Sequence, residues 1–181
     1  MRLSGAVALI TGASSGIGSA TAAALADAGA RLLLAGRDQA RLGRVAERTR
    51  GLALTADLSA AGGPAALAQA ALAAAPDGID ILVSNAGVGW AGPLAEITAE
   101  KVCELVTVNL TAPIQLTRLL LPAMMQRGRG RVVFVSSIAG VTGVACEAVY
   151  AATKAGLGTF AESLAYETRG HGVGVSLIVP G

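Results

Sequence analysis

The feature that most constrains this chain is a regular alternation of two textures. Short apolar runs fall at Val7–Ile10, Arg31–Ala35, Leu52–Thr55, Ile79–Ser84, Arg131–Ser136 and Val173–Val179. Between them lie longer stretches rich in Ala and Leu at helical spacing, at residues 16–28, 38–50, 62–75, 99–127 and 148–169. Apolar runs of about 4–8 residues without polar alternation read as strands buried on both faces. Strand–helix alternation argues for successive βαβ units, and right-handed crossovers then restrict the topology to a doubly wound parallel α/β sheet. The punctuation agrees. Gly29 follows the first helical stretch, Gly36 ends the second run, and Asp38 is placed to cap the second helix. Gly128 and Gly130 break the long fourth stretch before the fifth run.

Composition narrows the class. At 181 residues the chain is one domain, 1–181, large enough to bury a core without disulfides or metals. It is 53% hydrophobic and only 14% charged, which excludes a disordered chain. A net charge of +2 with interspersed signs, and two Phe, two Tyr and one Trp, give no nucleic-acid surface. The mean hydropathy of +0.61 raises the question of a membrane. No stretch reaches the ~18 uninterrupted apolar residues of a spanning helix, so no membrane partner is expected. Arg2 followed by the run Ala6–Ile10 is too short for the ~7–15-residue apolar core of a secretory signal. Cys103 and Cys146 form no CxxC, and with a single His no metal site is expected. A reducing, cytoplasmic compartment is the default.

Thr11-Gly12-Ala13-Ser14-Ser15-Gly16-Ile17-Gly18 follows the first run and opens a helix. The glycine spacing G-x3-G-x-G differs from the dinucleotide fingerprint G-x-G-x-x-G, but the physics is shared. Gly12 permits a tight turn, Gly16 lets the backbone approach a pyrophosphate, and Gly18 lets helix and strand pack closely. The helix N-terminus offers free N–H groups to phosphates, and Ser14 and Ser15 add hydroxyl donors. An ordinary strand-to-helix turn in a glycine-rich protein is the alternative. The second run ends Leu34-Ala35-Gly36-Arg37, with Gly36 where an acid would hold a ribose 2′-hydroxyl. Arg37 instead suits a 2′-phosphate, so NADP(H) is expected over NAD(H). In the other reading Arg37 is a solvated loop residue and Asp38 takes the ribose.

Tyr150-Ala151-Ala152-Thr153-Lys154 opens the last long helix. Tyr and Lys at i, i+4 share a helix face, and an ammonium there stabilises phenolate, making Tyr an acid or base near neutral pH. The chain holds two Tyr and two Lys in 181 residues, so chance gives this spacing at roughly the two per cent level. A core Tyr beside a snorkelling Lys is the bland reading. Ser136-Ser137 closes the fifth run, at the strand end where open α/β sheets place ligands. A hydroxyl there can hold a carbonyl oxygen; Ser136 and Ser84 read equally well as loop-capping serines. Pro113 lies four residues after Asn109 and has no N–H for that residue's carbonyl. A kink would free the carbonyl to hold a water; a helix start with Asn109 or Thr111 as its cap is the other reading.

Taken together, TGASSGIG, Asp57-Leu58, Asn85-Ala86-Gly87, Asn109, Ser137 and Tyr150-x3-Lys154 resemble, in order and spacing, the short-chain dehydrogenase/reductase family. The resemblance covers the whole chain. It implies a Rossmann fold with six strands in order 3-2-1-4-5-6, a seventh strand absent, and NAD(P) along the carboxyl edge of the sheet. It implies Tyr150 as acid/base, Lys154 on the nicotinamide ribose, Ser137 on the substrate oxygen, and Asn109 anchoring a relay water. The turn from Gly12 to Gly18, Ile17 included, would hold the pyrophosphate and Arg37 the 2′-phosphate. Asp57 and Leu58 would meet the adenine, and Asn85, Ala86 and Gly87 the adenosine ribose. Val179 would approach the carboxamide, with Pro180 and Gly181 bordering the nicotinamide. Ser15 stands where NADP-preferring members often carry a second basic residue, so the preference rests on Arg37. A homodimer through the helices 99–127 and 148–169 is the implied assembly.

Family members run to about 250 residues, a common size for one α/β domain. This sequence stops at Pro180-Gly181, where the family continues into a substrate-covering segment. The expectation is therefore a chain without its lid and with an uncovered apolar sixth strand. Two functions follow. The first is an oxidoreductase moving a hydride between NADP(H) and a small carbonyl or secondary-alcohol substrate. The alternative is a non-catalytic NAD(P)-binding or interaction protein on the same fold. A sugar-nucleotide epimerase shares the Tyr/Lys pair but not the glycine spacing. Val88, Trp90, Ile138, Val141 and Val144 fall on loops near the expected site and favour an apolar or ring-containing ketone. Trp90 reads equally as a packed loop anchor.

Overall fold

The computed structural model describes residues 2–181. Six parallel strands, β1 (Val7–Thr11), β2 (Arg31–Gly36), β3 (Leu52–Thr55), β4 (Ile81–Ser84), β5 (Gly130–Val135) and β6 (Val173–Ile178), form one sheet in the order β3-β2-β1-β4-β5-β6. The helices are α1 (Gly16–Asp27), α2 (Gln39–Thr49), α3 (Gly63–Ala74), α4 (Ala99–Val106), α5 (Ala112–Gln126) and α6 (Ala148–Glu167). This is the expected Rossmann-type topology, with strand ends within two residues of the apolar runs.

The uninterrupted apolar runs have a direct cause. Successive strand side chains point to opposite faces, and both faces are covered. Ala8, Ile10, Leu32 and Leu34 pack against Ala22, Leu42 and Val45 of α1 and α2. Leu9, Leu33, Leu82 and Phe134 pack against Leu67, Leu116, Leu120 and Leu157 of α3, α5 and α6. At the amino end of the sheet, buried Asp80 accepts from the Val7 N–H at 3.0 Å and from Arg129 at 3.1 Å. Those contacts pin the end opposite the site. Leu177 and Ile178 of the edge strand β6, and Val179 just after it, are 37%, 48% and 40% exposed. Among the described residues no helix is long and apolar enough to cross a membrane.

The stretch 99–127 departs from a single helix. Its start is fixed by Thr98, whose hydroxyl accepts from the Lys101 N–H at 3.2 Å. Asn109 falls inside the turn that follows α4, and Thr111, directly before α5, has helical backbone and makes no side-chain cap bond. Between α4 and α5 the chain makes a wide π-type turn over Thr107–Thr111. Pro113 has no N–H to continue the regular ladder, and the Ala112 N–H reaches back five residues to the Thr107 carbonyl. The expected kink is realised as this extra-residue bulge, a feature frequent at functional sites.

Candidate active site

The turn after β1 divides its glycines by what surrounds them. Gly12 has φ +65°, and a Cβ there would come within 2.8 Å of the Ala86 backbone. A Cβ on buried Gly18 would lie 2.3 Å from the Gly12 carbonyl oxygen. Both are packing glycines that bring α1 against the strand ends. Gly16 differs: it has φ +52°, and nothing lies within 4 Å of where its Cβ would be. Its bare backbone faces a cavity of about 450 Å³ that Ser14, Ser15 and Ile17 also line. An open glycine at a helix N-terminus, beside two serines, fits a pyrophosphate. Gly18 serves this site from below and does not reach its wall.

The turn is held in place from β4. Thr11 Oγ1 accepts from the N–H groups of Asn85 and Ala86, both at 3.0 Å. The Asn85 amide donates to the carbonyls of Thr11 at 2.9 Å and Gly12 at 3.2 Å. Asn85, Ala86 and Gly87 line the cavity, as do Asp57 and Leu58 on the loop after β3. Ser59 donates from both its N–H, at 2.9 Å, and its hydroxyl, at 2.6 Å, to Asp57. Those bonds, with a smaller contribution from Arg37, hold the Asp57 carboxyl below its ordinary pKa.

Arg37 lines the same cavity beyond the end of β2, 59% exposed and 3.8 Å from Glu104 of α4. Such an open pair contributes little, leaving Arg37 free to turn toward an anion. Arg41, one turn into α2, lines the cavity too and sits 3.1 Å from Asp38. Asp38 caps α2 by accepting from the Arg41 N–H at 2.9 Å. Nothing local in the sequence marks Arg41 for this cavity, since Arg37 precedes the Asp38 cap and shares no helix face with it.

A second cavity of about 650 Å³ adjoins the first, sharing Ile17, Asn85, Gly87 and Val88. Ser137, Tyr150 and Lys154 all lie on its wall, with Pro180 and Gly181. Helix α6 reaches this position because Gly140 admits it: a Cβ on Gly140 would meet the Lys154 backbone at 2.8 Å. Ser136 Oγ donates to the Lys154 carbonyl at 3.0 Å, so Ser136 lines the cleft but spends its hydroxyl proton on clamping the helix. Ser137 Oγ accepts from the Ala139 N–H at 3.2 Å and keeps its own proton for another acceptor. Lys154 is buried, its Nζ donating to the Val135 carbonyl at 2.9 Å and lying 5.8 Å from the Tyr150 ring centre. Burial lowers its pKa to about 8. Ser84 Oγ is buried without a partner among the described residues and takes no part in either wall.

Asn109 lies fully buried behind this wall. Its Oδ1 accepts from the Val88 N–H at 2.8 Å, and its Nδ2 donates to the Val88 carbonyl at 2.9 Å and to Thr153 Oγ1 at 3.2 Å. Thr153 Oγ1 in turn donates to the Tyr150 carbonyl at 2.7 Å. Asn109 thus ties the loop after β4 to the turn of α6 that carries Tyr150. Thr153 was missed in the sequence reading because nothing local marks its partner.

Three residues expected at the site lie elsewhere. Trp90 folds over Gly92, whose Cβ would meet its ring at 2.8 Å, so the loop-anchor reading of Trp90 is the one realised. Val141 is 69% exposed and lines a separate groove between α6 and β6. Val179 is 40% exposed and off the cleft wall. Val88, Ile138 and Val144 do line the cleft, together with Glu147, which was not singled out from the sequence.

Comparison with known proteins agrees with this geometry. A family described as short chain dehydrogenase matches residues 6–181. The ketoacyl reductase HetN of Nostoc is 37% identical over 99% of this chain, and the chain spans 64% of that relative's length. The 3-oxoacyl-(acyl-carrier-protein) reductase of Vibrio cholerae is 37% identical over the full chain, which covers 75% of it. A metagenomic short-chain oxidoreductase solved in complex with NADP superposes with a TM-score of 0.93 at 44% identity, over 100% of this chain and 84% of that one. A short-chain dehydrogenase/reductase of Burkholderia phymatum in complex with NAD gives a TM-score of 0.94 at 32% identity, over 99% and 66%. The turn after β1, the paired cavities at the strand ends and these likenesses lead to one assignment: the chain belongs to the short-chain dehydrogenase family.

Proposed function

We propose that this chain carries the cofactor and proton-transfer machinery of an oxidoreductase that moves a hydride between NADP(H) and an apolar ketone or secondary alcohol. The observation that carries the reading is the adjacency of the two cavities. One is built of open backbone and basic groups; the other brings Ser137, Tyr150 and Lys154 to a single wall. A binding-only role gives no reason for that wall. The ketoacyl reductases among the relatives also act on a carbonyl, as their names state.

When bound, the nicotinamide supplies or accepts the hydride, and the protein orients the substrate and moves the proton. Gly12, Ser14, Ser15, Gly16 and Ile17 would hold the pyrophosphate, Asp57 and Leu58 the adenine, and Asn85, Ala86 and Gly87 the adenosine ribose. Gly18 supports the turn. Pro180 and Gly181 border the nicotinamide end, with Val179 beside them. Ser137 donates its hydroxyl proton to the substrate oxygen, holding it next to Tyr150. Tyr150 protonates that oxygen in reduction and takes the proton back in oxidation. The Lys154 ammonium stabilises the phenolate left behind and binds the nicotinamide ribose. Asn109, through Val88 and Thr153, positions the helix turn that carries Tyr150, and its backbone carbonyl holds the relay water. The apolar residues Val88, Ile138 and Val144 suit a hydrocarbon or ring next to the carbonyl. The assembly is a homodimer through α4–α5 and α6, working in the reducing cytoplasm.

Incubation with NADPH and a panel of cyclic and long-chain ketones tests the reading. Matched loss of NADPH and gain of alcohol supports it; binding of NADPH with no consumption across the panel contradicts it. The NADP(H) preference rests on Arg37 with Arg41. Exchanging Arg37→Asp replaces a charge-assisted contact to the 2′-phosphate with repulsion, so NADPH should bind about 10–100-fold more weakly. NADH affinity should hold or improve. Fluorescence titration of both cofactors reads this directly, and an unchanged ratio removes Arg37 from the role.

A further inference from the structure

We infer that Glu147 sets the substrate preference of this site, favouring alcohols and ketones whose neighbouring carbon carries an ammonium or hydroxyl group and disfavouring carboxylates. The inference rests on the oxidoreductase reading above and narrows its substrate to an apolar body, seated on Ile138 and Val144, with one donor group beside the reacting carbon. Glu147 stands at the amino end of α6, three residues before Tyr150, and lines the same cavity as Ser137 and Tyr150. Among the described residues it makes no ion pair, and its side chain does not cap the N–H groups of its own helix. The other charged residue of the wall, Lys154, already donates to the Val135 carbonyl at 2.9 Å.

The rest of the surroundings raise the value of that free carboxylate. Ile138 and Val144 of the same wall are apolar and 47% and 37% exposed, so a hydrocarbon body seated on them removes water from beside Glu147. A carboxylate in a partly dried cleft interacts more strongly with a partner than it does in water. A bound molecule that brings no donor strips its hydration without replacement. A molecule that brings a second carboxylate adds like-charge repulsion. One that brings an ammonium or hydroxyl near the reacting carbon supplies the missing partner.

The test uses four eight-carbon probes: 1-amino-2-octanol, 1,2-octanediol, 2-octanol and 2-hydroxyoctanoate. Each is titrated calorimetrically into the chain saturated with NADPH, so that alcohols bind without reacting. The amino alcohol should bind about tenfold or more tightly than 2-octanol, the diol between them, and the hydroxy acid most weakly. In Glu147→Gln the ratio of amino alcohol to 2-octanol should collapse toward unity, while Glu147→Asp should keep the order. Equal affinities, absence of binding by all four, or a ratio unchanged in Glu147→Gln overturns the inference. Turnover is read separately with NADP+. If the binding order holds and no probe is oxidised, the oxidoreductase reading falls and the recognition by Glu147 stands. If probes are oxidised without the order, the inference falls and that reading stands.

Discussion

Replacing Tyr150 with Phe is expected to lower kcat by about a thousandfold, within the ~10²–10⁴ that a positioned general acid contributes, while NADPH affinity stays nearly unchanged. The substitution removes one oxygen and keeps the ring that faces Lys154, 5.8 Å from its Nζ. No neighbour is placed to take over the proton: the Lys154 ammonium is committed to the Val135 carbonyl at 2.9 Å. Ser136 is engaged with the Lys154 carbonyl at 3.0 Å, and the Ser137 hydroxyl is far too weak an acid. Tyr150 lies on the wall of the second cavity and not on that of the first, so the contacts proposed for adenosine and pyrophosphate should survive. Steady-state rates with a ketone that the wild type reduces, together with a fluorescence titration of NADPH, check both halves. Activity within about tenfold of wild type refutes the acid/base role.

Replacing Lys154 with Met should separate stability from function. Burial brings the Lys154 pKa from 10.5 down to about 8. The unfolded chain therefore holds the proton more tightly than the folded one. Below pH 8 the folded state keeps a buried ammonium at a cost that the shift puts at about 3 kcal/mol, a cost that declines as pH rises from 8 toward 10.5. Stability of the wild type should thus rise through that window. Lys154→Met removes the cost but leaves the Val135 carbonyl without its donor, for a net gain of about 1–2 kcal/mol at pH 7. The gain should vanish by about pH 10. Urea unfolding of the cofactor-free protein at the two pH values measures this. Turnover should fall by at least about a hundredfold, because the phenolate and the nicotinamide ribose lose their cation. A variant less stable than wild type at pH 7 contradicts the argument.

The parts legible in the sequence are those whose cause is local. A strand buried on both faces reads as an apolar run, and Val7–Ile10 is one. Gly12 takes the positive φ of a tight turn, and Gly18 packs directly on the Gly12 carbonyl, as their spacing implies. Ser137, Tyr150 and Lys154 fall on one wall because a strand end and one helix turn carry them. The missing parts depend on partners far apart in the chain. Asn109 meets Val88 and Thr153 across 21 and 44 residues, and Thr11 holds Asn85 across 74. Nothing near Asn109 in sequence foretells that its side chain is spent on such a clamp, although Pro113 did signal the broken ladder. Trp90 and Val141 were placed near the cleft by proximity alone; the direction each side chain takes is set by Gly92 and by the packing of α6 on β6. Glu147 was overlooked because a single acid before a helix ordinarily reads as a cap, and here it caps nothing.

Hydride transfer across the two adjoining cavities is read by a single turnover with NADPH carrying two deuterium atoms at nicotinamide C4. With a ketone that fits the cleft, the deuterium should appear on the carbinol carbon of the product, in step with NADP+ formed, and the yield should collapse in Tyr150→Phe. Saturable NADPH binding with no deuterium on any product would contradict the account and leave a nucleotide-binding protein in its place.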